Sequence, residues 1–338
     1  MQDLEHQGRL NLIIFDEIHK VLTDHSYRNV FLEFWVLNLV KTAIVGLDGS
    51  LPPECIPEFF SLTNTSWRVI RTPSNRPELG YEIRQGNPIE DIAKDIPQLT
   101  ATYEKDDRLM VFCRTHADLE KLSASVKVPA FSSHTVDKNK ETMEMWIQGE
   151  RKVMISTSIL GCGLDYPSVR HVLHFGIAHS MIDQHQQESR AGRDGKSAMA
   201  ITYVSANQRQ SSNSSSGYGR QELERWARNV HQCLRIIQSQ YLDGVAVTCS
   251  LLPACTLCAY CAEQLHQDPP AQPQRLPHAQ SSSTIPFQPT PLPPVLPPVF
   301  TKVTSIPKQP SLEDALPSMM DGFPDSEPMY SDPIFTQT

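Results

Sequence analysis

A chain of 338 residues is long enough for two domains of roughly 100–200 residues each. Its composition, 39% hydrophobic and 20% charged, is that of a globular protein except in the last quarter, and no apolar run reaches the ~18 residues of a membrane span. The net charge of −8 excludes a generally cationic binder of nucleic acid; residues 263–338 carry −5 of it and residues 1–262 only −3, so any such contact is expected to be a local patch.

The acidic opening Met1-Gln2-Asp3-Leu4-Glu5 is followed by no apolar core, and no signal peptide is expected. Leu10–Phe15 is a short, nearly continuous apolar run, the pattern of a buried parallel strand. It ends in Asp16-Glu17-Ile18-His19, and carboxylates at the carboxyl end of a buried strand stand where an open α/β sheet places its ligand. Arg28–Lys41 is expected to be a well-buried helix. Thr42–Leu47 is expected to be the next strand, ending in the small-residue turn Gly46–Pro53. Arg68–Arg71 and Tyr81–Arg84 read as short strands around the loop Thr72–Pro77, where a domain junction is expected.

Ile89–Thr102 has helical spacing, with Pro97 expected to end or kink it. Strands follow at Leu109–Cys113, Pro129–Phe131, Lys152–Ser156, Val169–Phe175 and Ala198–Val204. Helices are expected between them at Ala117–Ser125, Asp137–Gln148 (apolar stripe Met143, Trp146 and Ile147) and Ser180–Glu188. Strands alternating with helices from 109 to 204 indicate βαβ units, an α/β fold with a mainly parallel sheet whose strand-end loops share one edge. Three such loops carry polar groups: Arg114-Thr115-His116, Ser132-Ser133-His134 and Thr157–Pro167. The last helix runs into Gln186-Gln187-Glu188-Ser189-Arg190-Ala191-Gly192-Arg193-Asp194-Gly195. Two arginines three apart among glycines suit a multiply charged anion, because the guanidinium fork matches phosphate oxygens.

Gln208–Gly219 reads as a flexible Ser/Asn/Gly linker, and Gln221–Ser239 as one helix carrying Cys233. Of the eight cysteines five lie between 233 and 261, while Cys55, Cys113 and Cys162 stand singly among apolar residues and read as buried thiols. Cys255-x-x-Cys258-x-x-Cys261 brings three thiolates together, and Cys233 supplies a fourth for a tetrahedral structural zinc site, with Cys249 as the alternative ligand. Seventeen of the 27 prolines follow residue 262, so residues 266–338 are expected to be a disordered Pro-rich tail in which Pro291-x-x-Pro294 offers a segment for a reader of Pro-rich motifs.

The motifs stand in a known order. Asp16-Glu17-Ile18-His19 resembles the DEAH box, the second helicase motif. Gly46–Pro53 resembles the third, with Asp48 departing from the usual Thr-Ala-Thr or Thr-Gly-Thr. Val111–Thr115 is similar to the fourth, Ile155–Pro167 to the fifth and Gln186–Gly195 to the sixth. Over residues 10–262 the chain resembles a RecQ-type DNA helicase of superfamily two, and among these the fungal telomere-linked RecQ-like helicases.

That resemblance implies two RecA-like domains that clamp ATP and Mg²⁺ and move 3′ to 5′ on single-stranded and forked DNA in the nucleus. Residues 1–80 would be the C-terminal part of the first domain, 81–207 the complete second, 208–219 a linker and 220–265 a small helical zinc-binding subdomain. Asp16, Glu17 and His19 would act with Arg190 and Arg193 as arginine fingers. Gln186, Gly163 and Asp165 would contact nucleotide or relay DNA binding to it. Arg114, Thr115, His134, Thr157 and Ser158 would touch DNA phosphates without reading sequence.

Two departures bear on activity. No Gly-x-x-x-x-Gly-Lys-Ser/Thr phosphate loop occurs in these 338 residues, so the chain reads as N-terminally truncated, and negligible DNA-stimulated ATP hydrolysis is expected of it alone. The sixth motif is also one residue short. Either a Gly before Arg190 is deleted, or Gln186 takes the Gln position and Ser189 replaces the Gly; the second register keeps the Gln-to-Arg spacing at four.

Overall fold

The computed structural model describes residues 2–24, 34, 36–158, 164–205 and 217–267, all within one compact unit, Met1–Pro273. After a short helix α1 (Gln2–His6), strands β1 (Leu12–Phe15) and β2 (Ala43–Gly46) pair in parallel with Ile13 opposite Ile44 and Phe15 opposite Gly46. Gly46 packs directly under Ile18: a Cβ there would lie 2.5 Å from Ile18 Cδ1, and the Ile18 side chain would have to shift. Beneath this pair, α2 (Lys20–Thr23) and α3 (Ile56–Thr63) bury Val21, Leu22 and Phe59 with Ile18, Phe34, Leu37 and Cys55.

The expected helix at 28–41 is not formed as such. Residues 25–33 and 35 lie outside the described set, and 36–39 make a tight 3₁₀ turn. The expected strand at 68–71 is also absent: residues 66–76 have no regular secondary structure. Side chains hold this segment in place of a ladder. Arg71 donates to the carbonyls of Leu51 (2.8 Å) and Leu242 (2.6 Å), and the Asp243 carboxylate accepts from the Ser74 backbone N–H (3.0 Å) and hydroxyl (3.0 Å).

Beyond it the chain builds a six-stranded, wholly parallel sheet from β3 (Leu79–Gln85), β4 (Arg108–Cys113), β5 (Ala130–Phe131), β6 (Val153–Ser156), β7 (Val169–Phe175) and β8 (Ala198–Val204), in the order β3-β8-β7-β4-β6-β5. β4 is buried at every position, as a central parallel strand must be. Its side chains alternate between two cores. Leu109, Val111 and Cys113 pack with Ile92 and Ile96 of α4 (Pro88–Thr100) and Leu119 and Leu122 of α5 (His116–Val126). Met110 and Phe112 face Trp146 of α6 (Val136–Gln148) and Met181 and Ile182 of α7 (Met181–Glu188).

Pro97 does not end α4, which runs on to Thr100, and Ile147 of the expected α6 stripe is 47% exposed while Trp146 is wholly buried. The α/β class and the parallel sheet are as expected from the sequence, and no helix among the described residues is long and apolar enough to cross a membrane.

The single helix expected at 221–239 is two helices, α8 (Arg220–Ala227) and α9 (Arg235–Asp243). The break is local chemistry: the Asn229 side-chain oxygen accepts from the backbone N–H groups of His231 and Gln232, both at 3.2 Å, and competes with helix bonding. Cys233 therefore lies just before α9, not on a helix. Of the expected linker, residues 206–216 lie outside the described set, whereas its last residues are packed: Tyr218 donates to Glu58 at 2.8 Å, and Gly219 (φ +69°) sits against Tyr241 and Met181. A last helix, α10 (Ala259–Gln267), closes the described chain, and the Pro-rich tail lies beyond it.

Candidate functional site

The acid box leaves β1 at once. Glu17 takes a left-handed backbone (φ 52°), its N–H donating to Asp16 Oδ1 at 3.0 Å. For a non-glycine residue this costs energy, and here it turns Glu17 and His19 toward the sixth-motif helix. His19 is buried, and its backbone N–H (2.6 Å) and Nδ1–H (2.9 Å) both donate to Asp48 Oδ2. The other Asp48 oxygen accepts from the Ser50 N–H at 2.7 Å. Burial pushes the Asp48 carboxyl up, but the hydrogen bond and charge of His19 outweigh it and hold the group below its usual range. Asp48 thus takes the Nδ1–H and fixes the orientation of the imidazole, with Nε2 turned away from it.

His19 Nε2 faces Gln186. From the far end of the chain, Gln186 Nε2 donates to Glu17 Oε2 at 2.7 Å and to Ser50 Oγ at 3.1 Å, and lies 3.3 Å from His19 Nε2. One amide joins the Asp-Glu-x-His box, the Gly46–Pro53 turn and the Arg/Gly loop. Its neighbour Gln187 instead points inward to His174, at 3.1 Å. Of the two glutamines, Gln186 is the one that reaches the acid box.

The arginines do not join this contact. Arg190 is buried and donates to the Leu164 carbonyl at 2.6 Å; Arg193 donates to Asp165 Oδ1 at 2.7 Å and to the Ser189 carbonyl at 3.3 Å. Asp165 is thus paired with Arg193, whereas Gly163 and Cys162 lie outside the described residues.

The expected DNA-contacting residues gather at the carboxyl edge of the six-stranded sheet. Arg114 and Ser158 line one small cleft with His174 and Gln187, and His134 stacks on His116 with ring centroids 3.7 Å apart. Two are otherwise engaged. Thr115 caps α5, accepting from the Asp118 N–H at 3.1 Å, and Thr157 is buried.

The cysteine group differs from the set favoured on spacing. The sulfurs of Cys233, Cys249, Cys258 and Cys261 all lie within 4.8 Å of one another, with Cys233 at 3.6 Å from Cys249 and 3.7 Å from Cys258. A tetrahedral zinc with Zn–S of about 2.3 Å puts its sulfurs roughly 3.8 Å apart, so this donor set fits the ion. Backbone N–H groups also point at the sulfurs: Leu234 at Cys258, Cys249 at Cys233 and Cys258 at Cys249, each at 3.4 Å, which suits thiolates. Cys255 is outside the group, its thiol donating to the Thr256 carbonyl at 3.3 Å. Among the described residues the cysteine that joins Cys233, Cys258 and Cys261 is therefore Cys249, the alternative read from the sequence, in place of Cys255. The buried Cys55 and Cys113 are as read from the sequence.

Sequence reasoning passed over Ser50, and took Asp48 only as a departure from a motif. The signal available was the Asp-Gly-Ser at the strand end, an acid and a hydroxyl where small polar residues gather.

Comparison with known proteins finds sequence similarity to helicases. Residues 91–195 match the helicase conserved C-terminal domain. The chain is 27% identical over 255 residues to the ATP-dependent DNA helicase Q1 of Mus musculus, covering 70% of this chain and 39% of that protein. It is 28% identical over 228 residues to the ATP-dependent DNA helicase Q5 of Rattus norvegicus, covering 62% of this chain and 23% of that one. Among solved structures, S. cerevisiae Dbp5 bound to RNA and ADP BeF3 aligns with a TM-score of 0.49 at 15% identity, covering 60% of this chain and 56% of that one. The chain thus spans well under half the length of the curated relatives it matches. Residues 91–195 are similar to the helicase conserved C-terminal domain, and the chain is similar to the ATP-dependent DNA helicases Q1 and Q5.

Proposed function

We propose that these residues are the acid box and second motor domain of a RecQ-type, ATP-dependent 3′–5′ DNA helicase. The observation that carries this is the 2.7 Å contact from Gln186 to Glu17, which joins two motifs 169 residues apart at the mouth of a parallel sheet. In this reading Asp16 holds Mg²⁺ and Glu17 orients the water that attacks the γ-phosphate. Arg190 and Arg193 stabilise the developing charge once they leave their present partners. Gln186 senses which state the acid box is in. Zn²⁺ on Cys233, Cys249, Cys258 and Cys261 is structural, because four thiolates leave no open position. Arg114, His134 and Ser158 hold the phosphates of single-stranded DNA. A nuclear location belongs to the same reading, as the compartment where a DNA substrate is met.

One observation favours a second reading. The 338 residues contain no Gly-x-x-x-x-Gly-Lys-Ser/Thr loop, which ATP turnover in this class of motor requires. In that reading the chain binds nucleic acid without hydrolysing ATP. The test is ATP hydrolysis and DNA binding, with and without single-stranded DNA, by the parent chain and by Glu17→Gln. DNA-stimulated turnover that Glu17→Gln abolishes supports the motor. DNA binding without turnover supports the second reading. No DNA binding at low salt contradicts both.

A further inference from the structure

Behind the acid-box contact lies a line of buried polar side chains that the motifs do not account for. Glu188, at the end of α7, is wholly buried. Its two carboxylate oxygens accept one amide each: Oε1 from Gln184 Nε2 at 2.8 Å, and Oε2 from Gln238 Nε2 of α9 at 2.7 Å. Gln184 is also fully buried and extends the line, its Oε1 accepting from the Ala178 N–H at 3.0 Å and its Nε2 lying 3.2 Å from Thr202 Oγ1 on β8. His174 on β7 completes it, between Gln184 (3.3 Å) and Gln187 (3.1 Å).

The placement is directional. Residues two apart on a helix point about 200° apart, so Gln186 and Glu188 leave α7 on opposite sides. Gln184 and Glu188, four apart, share the inner side. α9 begins two residues after the metal-site Cys233 and ends at Asp243, which grips Ser74. The helix that Glu188 leans on is therefore fixed at one end by the cysteine cluster and at the other by the segment between the two sheets.

We propose that Glu188 and Gln238 are positioning residues: their hydrogen bond sets the rotation of α7, so that the cysteine-bearing subdomain determines whether Gln186 reaches Glu17. This rests on reading Gln186 and the acid box as one site. A buried carboxylate that lost either amide would be left unsatisfied, so α7 has one favoured seating.

The experiment uses the full chain and needs no turnover. The coupling between Gln186 and Glu17 is read as the non-additive shift in denaturation midpoint of Gln186→Ala and Glu17→Gln, in the parent and in Gln238→Leu. Amide hydrogen exchange of residues 184–189 is followed alongside. Expected is loss of the coupling in Gln238→Leu and about tenfold faster exchange in α7, with β4 unchanged. The swap Glu188→Gln with Gln238→Glu, which keeps an amide against a carboxylate, is expected to restore both. Coupling that persists in Gln238→Leu, or a swap no better than the single variant, overturns the proposal. If Gln238→Leu does not fold, Gln238→Asn, shorter by one methylene, gives the same two readouts. Absence of ATP turnover in the parent bears on the proposed motor alone, since neither readout depends on it.

Discussion

Gln186 donates to Glu17 across 2.7 Å, and the same amide reaches Ser50 at 3.1 Å. The sixth-motif helix of the larger sheet is thereby seated on the acid box of the smaller one. Asp48 supports the contact from behind by holding His19 through two hydrogen bonds to one carboxylate oxygen.

The contribution of Glu188 to stability should fall as pH rises from its ordinary range toward neutrality. Burial pushes its carboxyl up to about 7, against the lowering effect of the Gln184 and Gln238 amides and the nearby Arg235 charge; His174, also buried and held neutral, and Tyr81 complete its surroundings. A carboxyl with a raised folded pKa contributes stability that is whole below its ordinary range near 4.5 and is lost as pH rises through 7. The buried histidines His171, His174 and His185, held neutral, give stability the opposite trend over the same range, so the Glu188 contribution is read from urea denaturation as the difference between the parent and Glu188→Gln, which should change by on the order of 3 kcal/mol between acidic and mildly alkaline pH. A parent-to-variant difference that stays constant with pH would contradict the role given to Glu188.

Metal analysis should return one zinc per chain, and chelation should unfold the region around α9. Cys249→Ser should lower zinc content and melting temperature sharply. Cys255→Ser should leave zinc bound, with a stability change within about 1 kcal/mol. A chain that keeps its zinc in Cys249→Ser and loses it in Cys255→Ser would restore the ligand set read from spacing.

For single-stranded DNA, Arg114→Ala should weaken binding similarly on every sequence tested and reduce the slope of log affinity against log salt by roughly one contact, about 0.7. A sequence-dependent loss would place Arg114 on a base instead. Fluorescence anisotropy at several salt concentrations separates the two.

Gly219→Ala should destabilise the fold by about 2–3 kcal/mol. Its backbone lies at φ +69°, and a Cβ would come within 2.5 Å of the Tyr241 ring and 2.7 Å of Met181 Cβ. Thermal or urea denaturation measures this directly, and it tests whether α7, α8 and α9 pack as one body.

Much of the parallel sheet was legible because its strands are short apolar runs bounded by polar turns; β7 and β8 match their expected limits residue for residue. Regions shaped by side-chain chemistry were less so. Periodicity carried one helix from 221 to 239 because Leu223, Trp226, Leu234 and Ile237 do share a core, yet Asn229 breaks the helix by capturing two backbone N–H groups. Arg68–Arg71 has strand-like residues but no partner strand among the described residues, and Arg71 and Asp243 hold the segment instead. In the site, the acid box and Gln186 were visible as motifs. Asp48 became a positioning group only when the fold brought it to His19, 29 residues away. The choice of Cys249 over Cys255 depends on where a 3₁₀ turn, Cys249–Leu251, points its first side chain, which spacing does not encode.

The most direct measurement is the double-mutant cycle of Gln186→Ala and Glu17→Gln on the unfolding free energy of the chain. A shared hydrogen bond to a charged group predicts a coupling of about 1 kcal/mol or more. Effects that add to within roughly 0.3 kcal/mol would contradict the joining of the sixth motif to the acid box.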